Sequence, residues 1–481
     1  MSVNSENKEK GISRRGFLKT GVAATAMGVM GAIAAPAKIA NAAVASPSLD
    51  YQTTKGQWSK LRPKANYGGA SVRYVENNDQ WLGTTKIVGK VKQTNEKDAG
   101  FALAVSGELG DKARAGLFTT LFRHPMALPF ASAIGAVSGI SMLTGEPNPH
   151  KLPIPDPEQM SQHIKDFAYY LRADEVGIGN MPDFAYYESN MEPPLAAYLM
   201  QAVPINTPFG KVPITDKMPY VICMAVEMHL ETWLGSTGYD AMGVTQSNRC
   251  YHAAANAAII MASYIRQLGY HARAHHFGNY EVLIPPCLIA CGMGELTRTV
   301  DTALHPRIGF RHKTSAVTTD LPLATDKPID FGLQDFCRVC KKCADNCPSQ
   351  AISFDDDPVP HNGYLRWNTD SKKCTVFRAA NDEGVSCGRC VKVCPWNSKE
   401  DSWFHEAGLW IGSKGENASK LLKGIDDMFG YGTEQIEKYK WWLEYPELYK
   451  YDVEATLKRI NSAAPAATHG THGTHGASGA L

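Results

Sequence analysis

Cys337-Arg-Val-Cys340-Lys-Lys-Cys343-Ala-Asp-Asn-Cys347-Pro348, and then Cys374 followed by Cys387-Gly-Arg-Cys390-Val-Lys-Val-Cys394-Pro395, hold eight of the chain's 12 cysteines. The first stretch reads C-x2-C-x2-C-x3-C-P, and the second repeats it with its first interval stretched. Three thiolates two residues apart wrap three corners of one 4Fe–4S cubane, while the fourth, held off by proline, points at the other cluster. The expected exchange therefore gives cluster 1 to Cys337, Cys340, Cys343 and Cys394, and cluster 2 to Cys347, Cys374, Cys387 and Cys390. Proline after the fourth cysteine ends the turn and lacks an N–H that would need a partner. Zinc prefers paired C-x2-C groups set far apart. Disulfides suit exported proteins but need no triplet repeats. The spacing favours two cubanes.

Upstream of the cysteines the chain alternates helix and strand signals. Asp156-Pro157-Glu158-Gln159 supplies an N-cap, proline at N1 and glutamine at N3, opening a helix through about Leu171. Glu175 to Gly179 reads as a short strand. A second helix is expected from about Tyr251 to Leu268, with Asn248 or Ser247 as cap and Gly269 as stop. Ile308 to Thr319 is strand-like and leads to the cysteines. This pattern predicts an α/β (α+β) core with a bacterial-type two-cluster ferredoxin domain appended. The expected units are a leader at 1–42, an N-terminal unit at 43–150, the core at 151–330, the ferredoxin domain at 331–400 and a C-terminal extension at 401–481. Residues beyond Trp403 read as a tail ending in low-complexity His-Gly-Thr repeats.

The N-terminus carries Ser13-Arg14-Arg15-Gly16-Phe17-Leu18-Lys19, a weakly apolar small-residue run, and Ala40-Asn41-Ala42. Paired arginines, apolar stretch and small-x-small site fall in the order of a twin-arginine export signal. That route carries proteins already folded, which suits metal cofactors inserted beforehand. Formal net charge is +1, but residues 1–42 carry six basic and two acidic side chains, leaving the remainder at −3. No basic footprint for nucleic acid exists. Hydrophobic residues make up 44%, too few for a multi-span membrane protein. Met126 to Leu143 lacks charges, yet its proline, glycines and serines read as a buried loop-helix segment rather than a membrane contact.

Tyr264-Ile-Arg-Gln-Leu-Gly-Tyr270, Gly278-Asn279, Gly292-Met-Gly294-Glu295-Leu-Thr-Arg298 and Thr319-Asp320-Leu-Pro322, between the leader and the cysteines, resemble the corrinoid core of the reductive dehalogenases. The resemblance covers the leader and about 160 to 400. It implies a nitroreductase-like corrinoid-binding core, a base-off cobalamin, two 4Fe–4S clusters and an organohalide substrate. It also implies a small integral-membrane anchor protein and a quinone-linked membrane electron donor on the outer face of the cytoplasmic membrane. Block by block, the family's tyrosine proton donor, supporting asparagine and cation fall on Tyr251, Asn279 and Lys313. Arg298 and Trp396 fall where cofactor contacts are expected. Arg298 follows Thr297 where the family usually has glycine, and the stretch His271 to Phe277 is slightly longer than usual. No Asp-x-His-x-x-Gly occurs, in keeping with a cobalt that lacks a protein histidine.

The chemistry fits those residue types. A phenol with a reference pKa of about 10 is a poor acid unless its anion is favoured, and a neighbouring ammonium favours it. The same cation attracts a departing halide, while asparagine orients a partner without adding charge. Alternatives are an epoxyqueuosine-reductase-like corrinoid enzyme and an exported ferredoxin-type electron-transfer subunit. The export leader and the acidic remainder oppose the first. The roughly 290 residues from Ala43 to Phe336 exceed what cluster housing needs. Cys223, Cys250, Cys287 and Cys291 read as small buried hydrophobes.

Overall fold

Tyr220–Glu227, with sequence YVICMAVE, is apolar on both faces and buried along almost its whole length. A strand of that kind belongs in the middle of a covered sheet. The computed structural model, which describes residues 71–117, 124–199, 207–381, 386–397, 403–428, 432–444 and 453–462, places it there. The expected leader at 1–42 and the His-Gly-Thr repeats lie outside the described residues.

Four strands form the central sheet: β1 (Glu175–Asn180), β2 (Tyr220–Glu227), β3 (Ala272–His275) and β4 (His312–Thr319), in the order β1-β2-β4-β3. Every neighbouring pair is antiparallel. The core is thus α+β, without a continuous parallel ladder. β2 and β3 both run against β4, so they are parallel to each other, and one long helix makes the crossover between them.

The helices that matter are α1 (Leu128–Ala136), α2 (Pro157–Tyr170), α3 (Ala241–Gln267) and α4 (Ile284–Ala290). α2 opens as the sequence dictates, with the Asp156 side chain accepting from the Gln159 N–H at 3.0 Å. α3 is longer than expected. Its cap is Asp240, whose carboxylate accepts from the Met242 N–H at 3.0 Å and the Thr237 N–H at 2.9 Å. Ser247 and Asn248 lie inside the helix and do not cap it, and Tyr251 stands in its third turn rather than at its start. The stop at Gly269 holds: its φ of 87° is the left-handed conformation that follows a helix end. The carbonyls of α4's last turn press on β1 so closely that a Cβ at Gly179 would lie 2.6 Å from the Ala290 oxygen.

After the sheet come α5 (Leu333–Cys340), α6 (Lys342–Asp345), the hairpin Val359–His361/Tyr364–Arg366, α7 (Ser371–Ala380) and α8 (Arg389–Lys392), carrying the eight cysteines. The segment beyond Trp403 is not a bare tail. It forms α9 (Trp403–Gly412) and α10 (Glu416–Met428), whose Leu409, Ile411 and Leu422 pack into one apolar cluster with Phe331, Phe336 and Trp396. A second apolar cluster joins Ala131 and Ile134 of α1 to Val244 of α3, Phe277 and Ala379 of α7. Among the described residues no helix is long and apolar enough to cross a membrane.

Candidate functional site

All twelve cysteines are free thiols. The eight, taken as the two groups expected from the spacing, influence one another within each group and also between them, as Cys343 does Cys390. Burial pushes the Cys343 thiol well up, and Cys337, Cys340 and Cys394 push it further. Cys394 is raised by burial, then by Cys340, with Cys337 adding to it. The second group repeats this. Burial raises Cys374 to about 12, Arg378 pulls it back, and Asp301, Cys387 and Cys347 add to the rise. Cys390 is held well up by burial, then by Cys387 and Cys374. These influences cross between the runs, Cys394 acting on Cys343, Cys347 on Cys374 and Cys343 on Cys390. Buried thiols that resist ionisation together are relieved by a cationic metal assembly that binds all four as thiolates. Among the described residues no three Cys, His, Asp or Glu side chains converge as ligands of a single ion would. A cubane needs no such convergence, since it spreads its ligands over four corners.

Tyr251 and Lys313 come together. The Tyr251 ring stacks on Phe277 with centroids 4.5 Å apart and planes 20° from parallel. The Lys313 ammonium lies 5.1 Å from the same ring's centroid. Lys313 owes its position to the β2–β4 register, where it pairs with Val226. Tyr280 completes the aromatic group, its hydroxyl donating to the Thr314 carbonyl at 3.3 Å. Burial holds the Tyr280 phenol well above its ordinary pKa, and Tyr251 and Tyr187 add to the rise.

Asn279 is buried and fully engaged. Its amide oxygen accepts from Arg273 at 2.8 Å, and its amide nitrogen donates to the Ser138 carbonyl at 3.0 Å. In this arrangement it ties α1's end to the β3 turn. Arg273 also pairs with Glu281 at 3.0 Å and meets His275 Nδ1 at 2.8 Å. The Glu281 N–H reaches the same Nδ1 at 3.2 Å, which makes that nitrogen the acceptor and Nε2 the donor to Thr318. Burial and then the Arg273 charge hold His275 well below the usual histidine range. Glu96, buried nearby and accepting from the Met191 N–H at 2.8 Å, is raised by burial to about 7 despite Arg273.

Arg298 is wholly buried, and its guanidinium donates to the carbonyls of Cys337, Ser353 and Asp355 at 2.7 to 3.1 Å. Its other face lies 4.6 Å over Trp367. It shapes the first cysteine run from behind. Trp396 packs edge-on against Phe331 and Phe336, at 5.2 and 5.4 Å, and its buried indole N–H has no hydrogen-bond partner. The Cys394-Pro395-Trp396-Asn397 turn docks on the loop before β4. Asn397 accepts from the Phe310 N–H at 2.7 Å, and Gly309, at φ 63°, leaves no room for a Cβ beside Trp396.

Sequence reasoning missed Arg378, Phe277 and the Arg273–Glu281 pair. Only Arg378 left a signal, four residues after Cys374 and so on the same helix face. The buried polar atoms Trp233 Nε1, Thr237 Oγ1 and Arg389 Nε beside the second cysteine loop, and Thr245 Oγ1 on α3, have no hydrogen-bond partner. Gly388 packs against the Trp233 ring, and a Cβ at Gly243 would lie 2.8 Å from the Cys387 carbonyl oxygen. Unsatisfied donors grouped in this way mark a surface shaped for a ligand with a polar periphery.

Residues 336–398 match the model of the 4Fe-4S dicluster domain. The chain is 38% identical over 193 residues to a tetrachloroethene reductive dehalogenase of Dehalobacter restrictus, covering 38% of this chain and 34% of that protein. It is 29% identical over 310 residues to a tetrachloroethene reductive dehalogenase of Sulfurospirillum multivorans, covering 58% of each. A solved structure of the catabolic reductive dehalogenase NpRdhA superposes with a TM-score of 0.68 at 34% identity, over 78% of this chain and 51% of that one. The chain therefore spans about a third of the first relative's length and about half of the solved structure's.

Proposed function

We propose, on the premise that this chain is a relative of the reductive dehalogenases through its sheet core and dicluster segment, that it replaces a halogen of an organohalide by hydrogen. The reaction consumes two electrons and one proton and releases halide. One observation carries the reading: Tyr251, a phenol held between Phe277 and the Lys313 ammonium, sits in one apolar cluster with the helix that bears Cys374. A proton donor, a cation for the leaving anion and a cluster-binding segment thus meet in one place.

Two 4Fe–4S clusters would be held by Cys337, Cys340, Cys343 and Cys394, and by Cys347, Cys374, Cys387 and Cys390. The residues also fit a corrinoid. The orphaned donors of Trp233, Thr237, Thr245 and Arg389 match the amide-bearing rim of a corrin ring, with Trp396 adding a further unpartnered donor. The clusters would supply low-potential electrons, and the corrinoid, bound base-off, would supply the two-electron chemistry at the carbon–halogen bond.

The chain's own residues do the rest. Tyr251 holds the proton delivered to carbon, and the Lys313 ammonium draws halide away. Asn279 acts indirectly, since both ends of its amide are spent on Arg273 and Ser138; it fixes the wall beside the phenol. Arg298 serves the first cluster's peptide. The twin-arginine motif supports export to the outer face of the cytoplasmic membrane, where a small anchor protein and a quinone-linked donor would be met.

The test is halide release from a panel of halogenated substrates, with reduced viologen, by anaerobically reconstituted protein and its Tyr251→Phe variant. The variant is expected to keep iron and corrinoid but lose roughly 10²–10⁴-fold in turnover, the usual worth of a positioned acid. Undiminished halide release would remove Tyr251 from the role.

A further inference from the structure

Arg378 lies on α7, four residues and one turn beyond Cys374. Its guanidinium sits 4.8 Å over the Phe101 ring. Phe101 belongs to the apolar cluster that holds Tyr251, Tyr280 and Phe277. The Arg378 carbonyl accepts from the Ser386 N–H at 3.1 Å, directly before Cys387. Asn381 closes the same joint, donating to the Phe377 and Ser386 carbonyls at 3.0 Å each. Arg378 is therefore fixed where the helix bearing Cys374 meets the loop bearing Cys387, on the side of the second cysteine group that faces Tyr251.

Four residues apart on one helix, Arg378 and Cys374 share a face, which sets the guanidinium beside the second cysteine group. Around the first cysteine group the corresponding cations have further partners of their own. Lys342 pairs with Asp426 and Asp427, and Arg298 with carbonyl oxygens.

We propose that Arg378 is a positioning residue for the second cluster, its fixed charge raising that cluster's reduction potential. The inference rests on the second cluster of the reading above. Reduction of that cluster adds one electron from the external donor and transfers no atom, so the cluster becomes more negative by one unit. A guanidinium fixed beside the cluster stabilises the reduced form over the oxidised one.

The test is an EPR-monitored redox titration of the full reconstituted chain, with iron content measured on each sample. Arg378→Gln should shift one of the two midpoint potentials to a more negative value and leave the other in place. Arg378→Lys should restore most of the shift. With full iron and both potentials unchanged in Arg378→Gln, the proposal fails. Should that variant lose iron, Arg378→Lys decides. Full iron with a near-native potential supports a role for the charge, and full iron with a clearly lowered potential contradicts it. Wild-type protein that binds no second cluster would sink the underlying reading, an outcome separate from any failure of Arg378.

Discussion

Lys313 and Asn279 are both polar residues matched to catalytic positions in the sequence, and their surroundings give them different freedoms. The Lys313 ammonium faces an aromatic ring at 5.1 Å, while Asn279 has both ends of its amide committed. A group that must respond to a developing charge cannot also be the strut of a buried network. Sequence matching names both residues equally well and cannot see this, because hydrogen bonds to Arg273 and Ser138 leave no trace in the spacing around Gly278-Asn279. The buried carboxyl of Glu96 shows a related cost. Its pKa is raised by burial from 4.5 to about 7, so between those values the folded chain binds more protons than the unfolded one. Its contribution to stability therefore falls as pH rises through that window. Glu96→Gln, which keeps an oxygen for the Met191 N–H, should flatten the decline in Tm between pH 5 and 8 and raise Tm at pH 8. An unchanged slope would show that Glu96 ionises freely in the folded protein.

Among the elements, the cysteine segment was the most legible in the sequence. Three of a cubane's four thiolates come from one short run and the fourth from the partner run, so much of the ligand geometry is written as spacing. The α3 helix was legible at one end only. Gly269 stops it as expected, but its true start at Ala241 lies ten residues before the expected one. Gly243, Thr245 and Asn248 are poor helix formers or cap-type residues, and they stay helical because the turn packs on the Cys387 carbonyl and buries Val244. Tertiary packing overrode local preference there. α10 was hidden for another reason. It gains its place through the Lys342–Asp426 pair, which reaches back 84 residues to the first cysteine run. Both side chains are buried. Asp426→Ala leaves Lys342 with only Asp427 at 3.1 Å and should destabilise the chain by about 3 kcal/mol. In a denaturant titration, iron should be released at a lower midpoint. A midpoint within error of wild type would mean that α10 does not clasp the cluster peptide.

For the whole molecule, α3 and β4 bring the parts together. The start of α3 touches the second cysteine loop, its third turn carries Tyr251, and its end is strapped by the 148–152 segment through the Arg266 and Leu268 carbonyls. β4 begins where Gly309 and Phe310 dock on the Trp396-Asn397 turn, and its second residue is Lys313. The cysteine segment is thus fastened to both elements that carry Tyr251 and Lys313. An electron carrier alone would need neither the Tyr251–Lys313 pair nor the orphaned donors near Gly388. The most direct measurement is the metal content of the full chain after anaerobic reconstitution with iron, sulfide and a corrinoid. The account predicts roughly eight irons and about one cobalt per chain, since two cubanes carry four irons each. Roughly eight irons with no cobalt retained would contradict it and leave an electron relay in its place.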